Sequence, residues 1–366
     1  MISSNYLDKR VLVTGHTGFK GSWLTVWLLK LGAKVTGVSK DVPTCPSMFE
    51  ALGLEDKIDH IQADVTDLQA LAAIIKDVQP QFIFHLAAQA IVSTSYENPT
   101  ETFSTNVLGT MNVLDALRLD PIPCVVVMIT SDKCYDNVEW LWGYKETDAL
   151  GGKDIYSGSK GAAELVIKSY VSSFFSDPAS PVKIAVGRAG NVIGGGDWAK
   201  DRIIVDCMRA WNEKRHVEIR SPKATRPWQH VLEPLSGYLT LGARLAAGEI
   251  KQGDAFNFGP RAEQNRTVVD LIGELAVRWG FDDVDAAYKI TGNVVFYEAS
   301  LLKLNCDKAL ALLNWEPNMA YAETIAFVGD WYKSFYQEHG DMYEITCTQI
   351  DDYENMAIER NRVWAK

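Results

Sequence analysis

The fold of this chain is decided by the stretch Val11-Leu12-Val13-Thr14-Gly15-His16-Thr17-Gly18-Phe19-Lys20-Gly21. Its first four residues are mostly β-branched or apolar and predict a short buried strand. After the glycines, apolar residues recur at helical spacing up to Leu31, and Gly32 ends that helix. Residues 33–38 then predict a second strand, so the order is strand, glycine turn, helix, strand.

The glycine turn is suited to binding the pyrophosphate of a dinucleotide. Glycines let the backbone approach the phosphates, and the helix that follows offers free N–H groups and the positive end of its dipole. An ordinary tight turn would also use a glycine, but the complete strand, turn, helix and strand context favours a cofactor site. The predicted cofactor-binding residues of the turn are Gly15, His16, Thr17, Gly18, Phe19, Lys20 and Gly21.

Beyond this unit, strand-like and helix-like segments alternate at the spacing of βαβ units, which predicts a parallel sheet. The pattern loosens after residue 188, and the polar tail at residues 344–366 is assigned to no element. Further strands are expected at residues 60–63, 82–86, 125–130, 184–188 and 217–219, and helices at residues 67–78, 102–119, 156–175 and 202–213.

A second informative stretch follows the strand at residues 125–130. Ser131, Asp132 and Lys133 come at or just past its end, where open α/β sheets bind their ligands. Tyr156 and Lys160 are four residues apart, so they share one face of the next helix. A lysine ammonium beside a phenol favours the phenolate, so we expect Lys160 to lower the pKa of Tyr156 and make it a base for a hydroxyl.

The composition is that of a soluble globular protein and excludes several functions. The chain has 366 residues, 47% hydrophobic and 23% charged, with a net charge of −11. Nucleic-acid phosphates select basic surfaces, so no nucleic-acid partner is expected. The first residues have no apolar signal core and no apolar run could span a bilayer, so we expect a cytoplasmic protein with no membrane partner. Six cysteines without paired-ligand spacing predict reduced thiols and no metal site.

These motifs together resemble a known family. The turn has the spacing Gly-x-x-Gly-x-x-Gly, and with the Tyr156 and Lys160 pair it resembles the extended short-chain dehydrogenase/reductase family. Ser131 and two further segments carry the same resemblance: His85-Leu86-Ala87-Ala88-Gln89 and Asn106-Val107-Leu108-Gly109-Thr110.

Three other segments resemble one group within that family. Thr130-Ser131-Asp132-Lys133-Cys134-Tyr135-Asp136 is similar to the matching segment of the nucleotide-sugar 4,6-dehydratases. The segments Gly190-Asn191-Val192-Ile193-Gly194-Gly195-Gly196-Asp197-Trp198 and Arg226-Pro227-Trp228-Gln229-His230-Val231 are similar to those of dehydratases that act on CDP-glucose.

The resemblance covers nearly the whole chain. It implies an α/β fold with a Rossmann-type doubly wound parallel sheet and a smaller, mostly C-terminal substrate-binding domain. We place an NAD-binding domain at residues 1–187, with later segments returning to its sheet, and a mainly nucleotide-sugar-binding domain at residues 188–366. The resemblance also implies a homodimer or dimer of dimers joined through helices 102–119 and 156–175, and a role in the deoxysugars of a bacterial lipopolysaccharide O antigen.

The resemblance implies a redox-neutral reaction on CDP-glucose. Tyr156 would take the O4 proton while hydride leaves C4, Ser131 would orient O4, and Lys160 would hold the cofactor ribose. The resulting 4-ketone acidifies the C5 proton, water leaves from C6, and hydride returns to C6. Asp132 matches the family's general acid. Lys133 stands where many dehydratases have glutamate, and a neutral, desolvated lysine could be the C5 base; a loop salt bridge between the two is the alternative.

The implied cofactor is NAD. Asp64 would accept from the adenine amino group with Val65 beside it, although Asp64 could instead cap the following helix. NAD-selective relatives have an acid at the end of the second strand. Here that position is Ser39, followed by Lys40, which could tolerate a 2′-phosphate; NAD is favoured because the cycle needs no external reductant. Small or apolar residues after the fourth strand would also contact the cofactor: Leu86, Ala87 and Ala88.

Five residues are predicted to bind the nucleotide sugar. Asn191 matches an asparagine of the family that contacts the diphosphate or the sugar, and arginine fits phosphate oxygens in bidentate geometry. Trp142 and Trp228 could wall the site or belong to the core. The predicted substrate-binding residues are Gln89, Asn191, Arg202, Arg226 and Arg261.

Other functions remain open on the same fold. A nucleotide-sugar 4-epimerase would use Ser131, Tyr156 and Lys160 but has no need of Asp132 and Lys133. A keto-reductase would release its cofactor in every turnover. A non-catalytic, NADP-binding sensor usually lacks the tyrosine and lysine pair, which this chain keeps.

Overall fold

The computed structural model describes residues 3–261, 265–291 and 302–366, and the side chains of Ser3, Arg226 and Asn265 lie outside the described part. Within it the strands are β1 (Arg10–Thr14), β2 (Lys34–Ser39), β3 (Asp59–Gln62), β4 (Phe82–His85), β5 (Cys124–Ser131), β6 (Val182–Ala189), β7 (Val192–Ile193), β8 (Val217–Ile219), β9 (Thr225–Pro227), β10 (Gln229–His230), β11 (Ala255–Phe258), β12 (Asn265–Thr267) and β13 (Tyr288–Ile290).

The α-helices alternate with these strands in the first half and dominate the second. They are α1 (Ser3–Tyr6), α2 (Phe19–Lys30), α3 (Met48–Ala51), α4 (Leu68–Val78), α5 (Val92–Glu97), α6 (Pro99–Phe103), α7 (Gly109–Leu119), α8 (Ile155–Phe174), α9 (Ile203–Asn212), α10 (Leu232–Ala246), α11 (Val268–Trp279), α12 (Asp307–Leu313), α13 (Tyr321–Lys333) and α14 (Met342–Glu359). None of the helices in the described part is both long and apolar enough to cross a membrane.

Seven parallel strands form the central sheet, in the order β11-β6-β5-β4-β1-β2-β3. The chain runs outward from β1 through β2 to β3 and then returns to β4 on the other side of β1. The order therefore reverses between β1 and β4, and the carboxyl ends of these strands form the crevice in which such sheets bind ligands. The predicted doubly wound sheet is confirmed.

The sheet strands are nearly continuous apolar runs because helices cover both faces. One face packs under α2 and α10, with Trp23 and Trp27 fully buried in its core. The other packs under α4, α7 and α8, where Leu114 and Ile167 belong to a separate core. These two layers of helices fix where the last residues of β1, β4 and β5 lie.

The second half of the chain returns to the sheet, as expected. Strand β11 lies parallel to β6, with Ala255 opposite Val186. The core under α2 draws residues from both halves, and the division at residue 187 stays a prediction.

Two segments differ from their predicted form. The helix expected at residues 102–119 is divided by a π-helical turn, Ser104–Leu108. The tail without an assignment forms α14, which packs on α2: Trp27 Nε1 donates to Glu354 at 2.7 Å, and Lys30 Nζ lies 2.9 Å from Asp351. Its apolar positions are sparse, so the sequence alone does not predict this helix, and the α2 surface on which it packs accounts for them.

Candidate active site

Two positions of the glycine turn have no room for a side chain. Gly15 has a φ of +76°, and a Cβ there would lie 2.7 Å from the Ala87 nitrogen. A Cβ on Gly21 would lie 2.1 Å from the Gly15 oxygen, so both positions require glycine. Gly18 begins α2 without a side-chain cap. The first amides of α2 therefore point into the crevice as free donors, which suits an anion.

Hydrogen bonds of His16 and Thr17 hold the glycine turn in place. The His16 ring is fully buried, with Nδ1 2.9 Å from Ser39 Oγ and Nε2 2.8 Å from His60 Nδ1. Thr17 donates its amide to Ser39 Oγ at 3.3 Å and its hydroxyl to the Asp41 oxygen at 2.7 Å. Ser39 is thus engaged within the protein, so its predicted contact with the ribose stays a prediction with a competing structural role.

A cavity of about 610 Å³ lies beside the ends of β2 and β3, where an adenosine would bind, and Lys40 and Asp64 line it. Asp64 Oδ1 accepts from the Thr66 amide at 2.9 Å, while the α4 cap is Asp67. The alternative that Asp64 caps this helix is therefore wrong. Val65 is buried, and a Cβ added to Gly109 would lie 2.6 Å from its side chain, so Val65 packs against the start of α7.

The residues after β4 form the opposite wall of the crevice. Leu86 donates its amide to the Thr14 oxygen at 3.1 Å, and Ala87 donates to Thr14 Oγ1 at 3.2 Å. Leu86, Ala87 and Ala88 are partly exposed at this edge. They lie where the strand order reverses, and their contact with a cofactor stays a prediction.

Strand β5 ends in the predicted catalytic turn. Ser131 caps a single 3₁₀ turn, accepting from the Lys133 amide at 3.2 Å and donating to Asp132 Oδ1 at 2.8 Å. Asp132 is buried, and this burial raises the pKa of its carboxyl, against the opposing effects of Lys133, the Ser131 hydrogen bond and Lys20. A buried carboxyl with a raised pKa can hold a proton and act as an acid.

Tyr156 and Lys160 share one face of α8, and both are buried. Burial raises the pKa of Tyr156 to about 12, a hydrogen bond with Ser131 lowers it, and Asp132 raises it. The expectation of a lowered pKa for Tyr156 is therefore wrong for the protein alone, because desolvation of the phenolate outweighs the nearby charges. Burial also lowers the pKa of Lys160 to about 8.

Residues from the second half approach the same place. A Cβ on Gly190 would lie 3.2 Å from Asp132 Oδ2, so the chain between β6 and β7 passes against the acid and brings Asn191 beside it. Arg202, at the start of α9, is close enough to affect the pKa values of both Lys20 and Tyr156. The structure therefore places Arg202 near Lys20 and Tyr156 and brings the loop that carries Asn191 against Asp132, and their contact with a substrate stays a prediction.

Other predicted residues do not reach the catalytic group. Gln89 closes its own loop, donating to Thr102 Oγ1 at 2.9 Å and accepting from the Ile91 amide at 2.6 Å. Arg261 is exposed and paired with Glu316 at 3.0 Å. The Arg226 side chain lies outside the described residues.

No contact in the structure places either predicted tryptophan in the wall of the site. Trp142 is 72% exposed, whereas Trp228 is buried and donates its ring N–H to the Arg266 oxygen at 3.2 Å. Trp228 therefore belongs to the core. For Trp142, the large exposure shows that it is not a core residue.

A buried ion pair that sequence patterns did not reveal supports the end of β5. Arg188 on β6 binds both carboxylate oxygens of Glu164 on α8, each at 2.8 Å. The same guanidinium donates to the Tyr135 hydroxyl at 2.8 Å, and that hydroxyl donates to Asn257 Oδ1 at 2.8 Å. This network joins β6, α8, β11 and the turn that carries Ser131, so it holds the catalytic turn against the helix that carries Tyr156.

The glycine-rich segment before Trp198 is a packing motif. A Cβ on Gly195 would lie 2.0 Å from the Trp331 ring, and the Gly195 oxygen accepts from Trp23 Nε1 at 2.9 Å. Trp198 itself is buried in an edge-to-face contact with Trp331. These contacts fix the loop that carries Asn191 to the helices α2 and α13.

The crevice suits a dinucleotide. Free amides at the start of α2 match a pyrophosphate, and the cavity by Asp64 is large enough for an adenosine. The ammonium groups of Lys20 and Lys160 make no hydrogen bond or ion pair with any residue of the described ranges. Unpaired cations in a partly buried crevice favour anionic ligands.

Comparison with known proteins places the chain among nucleotide-sugar enzymes. The model of the family described as GDP-mannose 4,6 dehydratase matches residues 12–327. The chain belongs to this family. It is 46% identical over 358 residues to a CDP-glucose 4,6-dehydratase of Salmonella typhimurium, covering 96% of this chain and 98% of that protein. It is also 24% identical to a CDP-paratose 2-epimerase of Salmonella typhi, over 89% and 99% of the two chains.

Solved structures share the fold. A UDP-glucose 4-epimerase of Thermotoga maritima with UDP-glucose has a TM-score of 0.77 at 20% identity, over 90% of this chain and 100% of that one. A dTDP-glucose 4,6-dehydratase of Streptomyces venezuelae, with NAD and TYD bound, has a TM-score of 0.75 at 21% identity, over 90% and 100%. Epimerases and dehydratases therefore share this scaffold, and the reaction depends on the site residues.

Proposed function

We propose that this protein is an NAD-dependent dehydratase that converts CDP-glucose to CDP-4-keto-6-deoxyglucose and water. The observation that carries the proposal is the turn beside Tyr156, where Ser131 is hydrogen-bonded to the buried acid Asp132. An epimerase needs Tyr156 but no acid for a departing hydroxyl. The 46% identity with a CDP-glucose 4,6-dehydratase, over nearly the full length of both chains, supports the same activity and substrate.

NAD is the proposed cofactor, and when bound it would accept hydride from C4 and return it to C6. The turn at Gly15–Gly21, the backbone at Val65 and the edge at residues 86–88 would hold it. Lys40 is paired with Glu101 at 2.7 Å beside the adenosine cavity. Because its charge is balanced, Lys40 offers little attraction to a 2′-phosphate, which supports NAD over NADP.

In the first half-reaction, Tyr156 would take the proton from the sugar O4. Its pKa of about 12 in the protein alone already includes the lowering effect of Arg202, so the phenolate needs further positive charge, which a bound oxidised nicotinamide would provide. Ser131 would donate to O4 and keep it in line. Lys160 would bind the nicotinamide ribose.

In the elimination, Asp132 would protonate the departing 6-hydroxyl while a base removes the C5 proton. Burial raises the pKa of Asp132, which favours its protonated form. We assign the base role to Lys133, the neighbouring residue of the same turn. Asn191 and Arg202 would hold the substrate sugar and diphosphate, with Arg226 as a further phosphate ligand.

We also propose that two copies pair through α7 and α8. Several large apolar side chains are exposed on or beside these helices, including Leu165 at 54% and Phe174 at 52%. Burying such side chains against a second copy is favourable. Light scattering of the purified protein tests this, and a monomer at micromolar concentration would contradict it.

The function is tested by incubating the protein with NAD and a panel of CDP-, dTDP-, UDP- and GDP-hexoses. We expect CDP-glucose to give a 4-keto product, detected by its absorbance in alkali and by the mass lost as water. Conversion to a 4-epimer without water loss would identify an epimerase, and stoichiometric cofactor consumption would identify a keto-reductase. Substrate deuterated at C4 should place its label at C6 of the same molecule.

Variants of the turn separate the two half-reactions. Asp132→Asn and Lys133→Met should still transfer hydride from C4, so reduced cofactor should accumulate while water loss stops. Exchange of the C5 proton with solvent should fall most in Lys133→Met. Full turnover by that variant would exclude Lys133 as the base.

A further inference from the structure

Lys20 has an unusual position for a lysine. It lies in the glycine turn, within the first turn of α2, yet its side chain is partly buried and its ammonium lies 5.7 Å from the centre of the Tyr238 ring on α10. No residue of the described ranges lies within hydrogen-bond or ion-pair distance of this ammonium. Lysine is seldom buried without a partner, so a ligand or a reacting group is the natural one.

The charged groups around Lys20 belong to the catalytic end of the crevice. Its electrostatic neighbours are Asp132 on the catalytic turn, Lys160 on α8 and Arg202 before α9. Asp132 is the acidic one among them.

Tyr238 provides an independent observation about the same space. It is fully buried, and its hydroxyl has no hydrogen-bond partner among the described residues. Its electrostatic neighbours are Asp132 and Tyr156, the proposed acid and base. The Tyr238 ring packs on Gly187 of β6, where an added Cβ would lie 2.8 Å from the ring. Gly187 comes three residues before Gly190, whose added Cβ would lie 3.2 Å from Asp132 Oδ2, so the space beside Lys20 and Tyr238 is at the same end of the crevice as Asp132.

We propose that Lys20 is a positioning residue for the elimination, whose ammonium faces Asp132 and stabilises the carboxylate formed when Asp132 protonates the departing 6-hydroxyl. This inference rests on the proposed function. In the step, the C6–O bond breaks and its electron pair takes the Asp132 proton, which forms water. The electron pair of the C5–H bond becomes the C5–C6 double bond, and its proton goes to the base.

The electrostatics of the pair agree with this assignment. Burial raises the pKa of Asp132, and Lys20 opposes that shift, as do Lys133 and Ser131. Burial, Lys160 and Arg202 lower the pKa of Lys20 to about 8, while Asp132 raises it. The Lys20 charge therefore favours the ionised form of Asp132, and its attraction to that carboxyl becomes stronger as the proton leaves. An interaction that is stronger in the transition state than in the ground state accelerates the step.

The first test needs no substrate. Infrared difference spectra can follow the carboxyl titration of Asp132, with Asp132→Asn as the subtraction, in wild type, Lys20→Met and Lys30→Met. Lys30 lies at the far end of the same helix, paired with Asp351, and is the matched control. We expect Lys20→Met to raise the midpoint by about 1–3 pH units, the usual effect of one nearby opposite charge. An unchanged midpoint would overturn the proposal, whatever the enzyme's substrate proves to be.

The second test measures the two half-reactions separately. With CDP-glucose and saturating NAD, Lys20→Met should slow the loss of water about ten-fold more than it slows the removal of hydride from C4, so reduced cofactor accumulates. Exchange of the C5 proton in D₂O should persist, and Lys20→Arg should restore most of the elimination rate. Loss of C5 exchange would make Lys20 the base. Weaker NAD binding with unchanged elimination would make it a cofactor ligand. Either result would overturn the proposal.

Raising the pH gives a third readout. Above about pH 8, where Lys20 loses its proton, the reduced-cofactor fraction should be larger in wild type than in Lys20→Arg, because the guanidinium stays charged. Lys160 loses its proton in the same range, which slows the first hydride transfer and lowers that fraction in both proteins alike. Equal fractions in the two proteins across this range would contradict the role of Lys20.

Discussion

Acid pH should loosen the glycine turn through His16. This ring is fully buried between Ser39 and His60, and burial is the main cause that lowers its pKa from 6.5 to about 4, with His60 adding to the effect. The unfolded chain therefore binds this proton more tightly than the folded protein does, so the free energy of unfolding rises with pH in this range. The stability that neutral His16 contributes is present above about pH 6.5 and is lost as the pH falls towards 4.

The magnitude follows from the size of the shift. A difference of about 2.5 pKa units corresponds to about 3.4 kcal/mol when fully expressed. At pH 5, where the folded protein keeps His16 mostly neutral, about 2 kcal/mol of this is lost relative to pH 7.5.

Urea unfolding at pH 7.5 and pH 5 measures this loss in wild type, His16→Gln and the exposed control His216→Gln. His85 and His230 are also buried, and burial lowers the pKa of each to about 3. Their contributions are the same in every variant and cancel in the comparison. We expect wild type and His216→Gln to lose about 2 kcal/mol more than His16→Gln does. Equal losses in wild type and His16→Gln would refute the reasoning.

Three further outcomes are expected. Tyr156→Phe should remain folded but turn over about 10²–10⁴-fold more slowly, and near-normal turnover would remove it from the mechanism. Gly15→Ala should weaken NAD binding in a calorimetric titration, because its Cβ would lie 2.7 Å from the Ala87 nitrogen; Gly53→Ala, also at positive φ but with no atom within 4 Å of its Cβ, is the control and should bind NAD normally. Glu101→Gln should free the Lys40 ammonium and improve binding of NADP relative to NAD, and an unchanged preference would show that this pair does not select the cofactor.

The sequence alone determined the parts of this protein that depend on local chemistry. The glycine turn, its strand and its helix follow from short-range patterns, because the turn requires residues without a Cβ and the helix repeats its apolar positions. The shared helix face of Tyr156 and Lys160 follows from their spacing. Ser131 and Asp132 lie at a strand end because the apolar run before them stops there.

Tertiary structure decided what depends on distant partners. The pKa of Tyr156 rises because the folded chain buries it, an effect that the neighbouring Lys160 in the sequence does not predict. The ion pair of Arg188 and Glu164 joins residues 24 positions apart, and only folding brings them together. Lys20 is predicted as part of a phosphate-binding turn, yet Asp132, 112 positions away, acts on its charge, because the sheet order places β1 and the end of β5 around one crevice. Local patterns fix which elements form, whereas burial and long-range contacts fix the charge that each catalytic group carries.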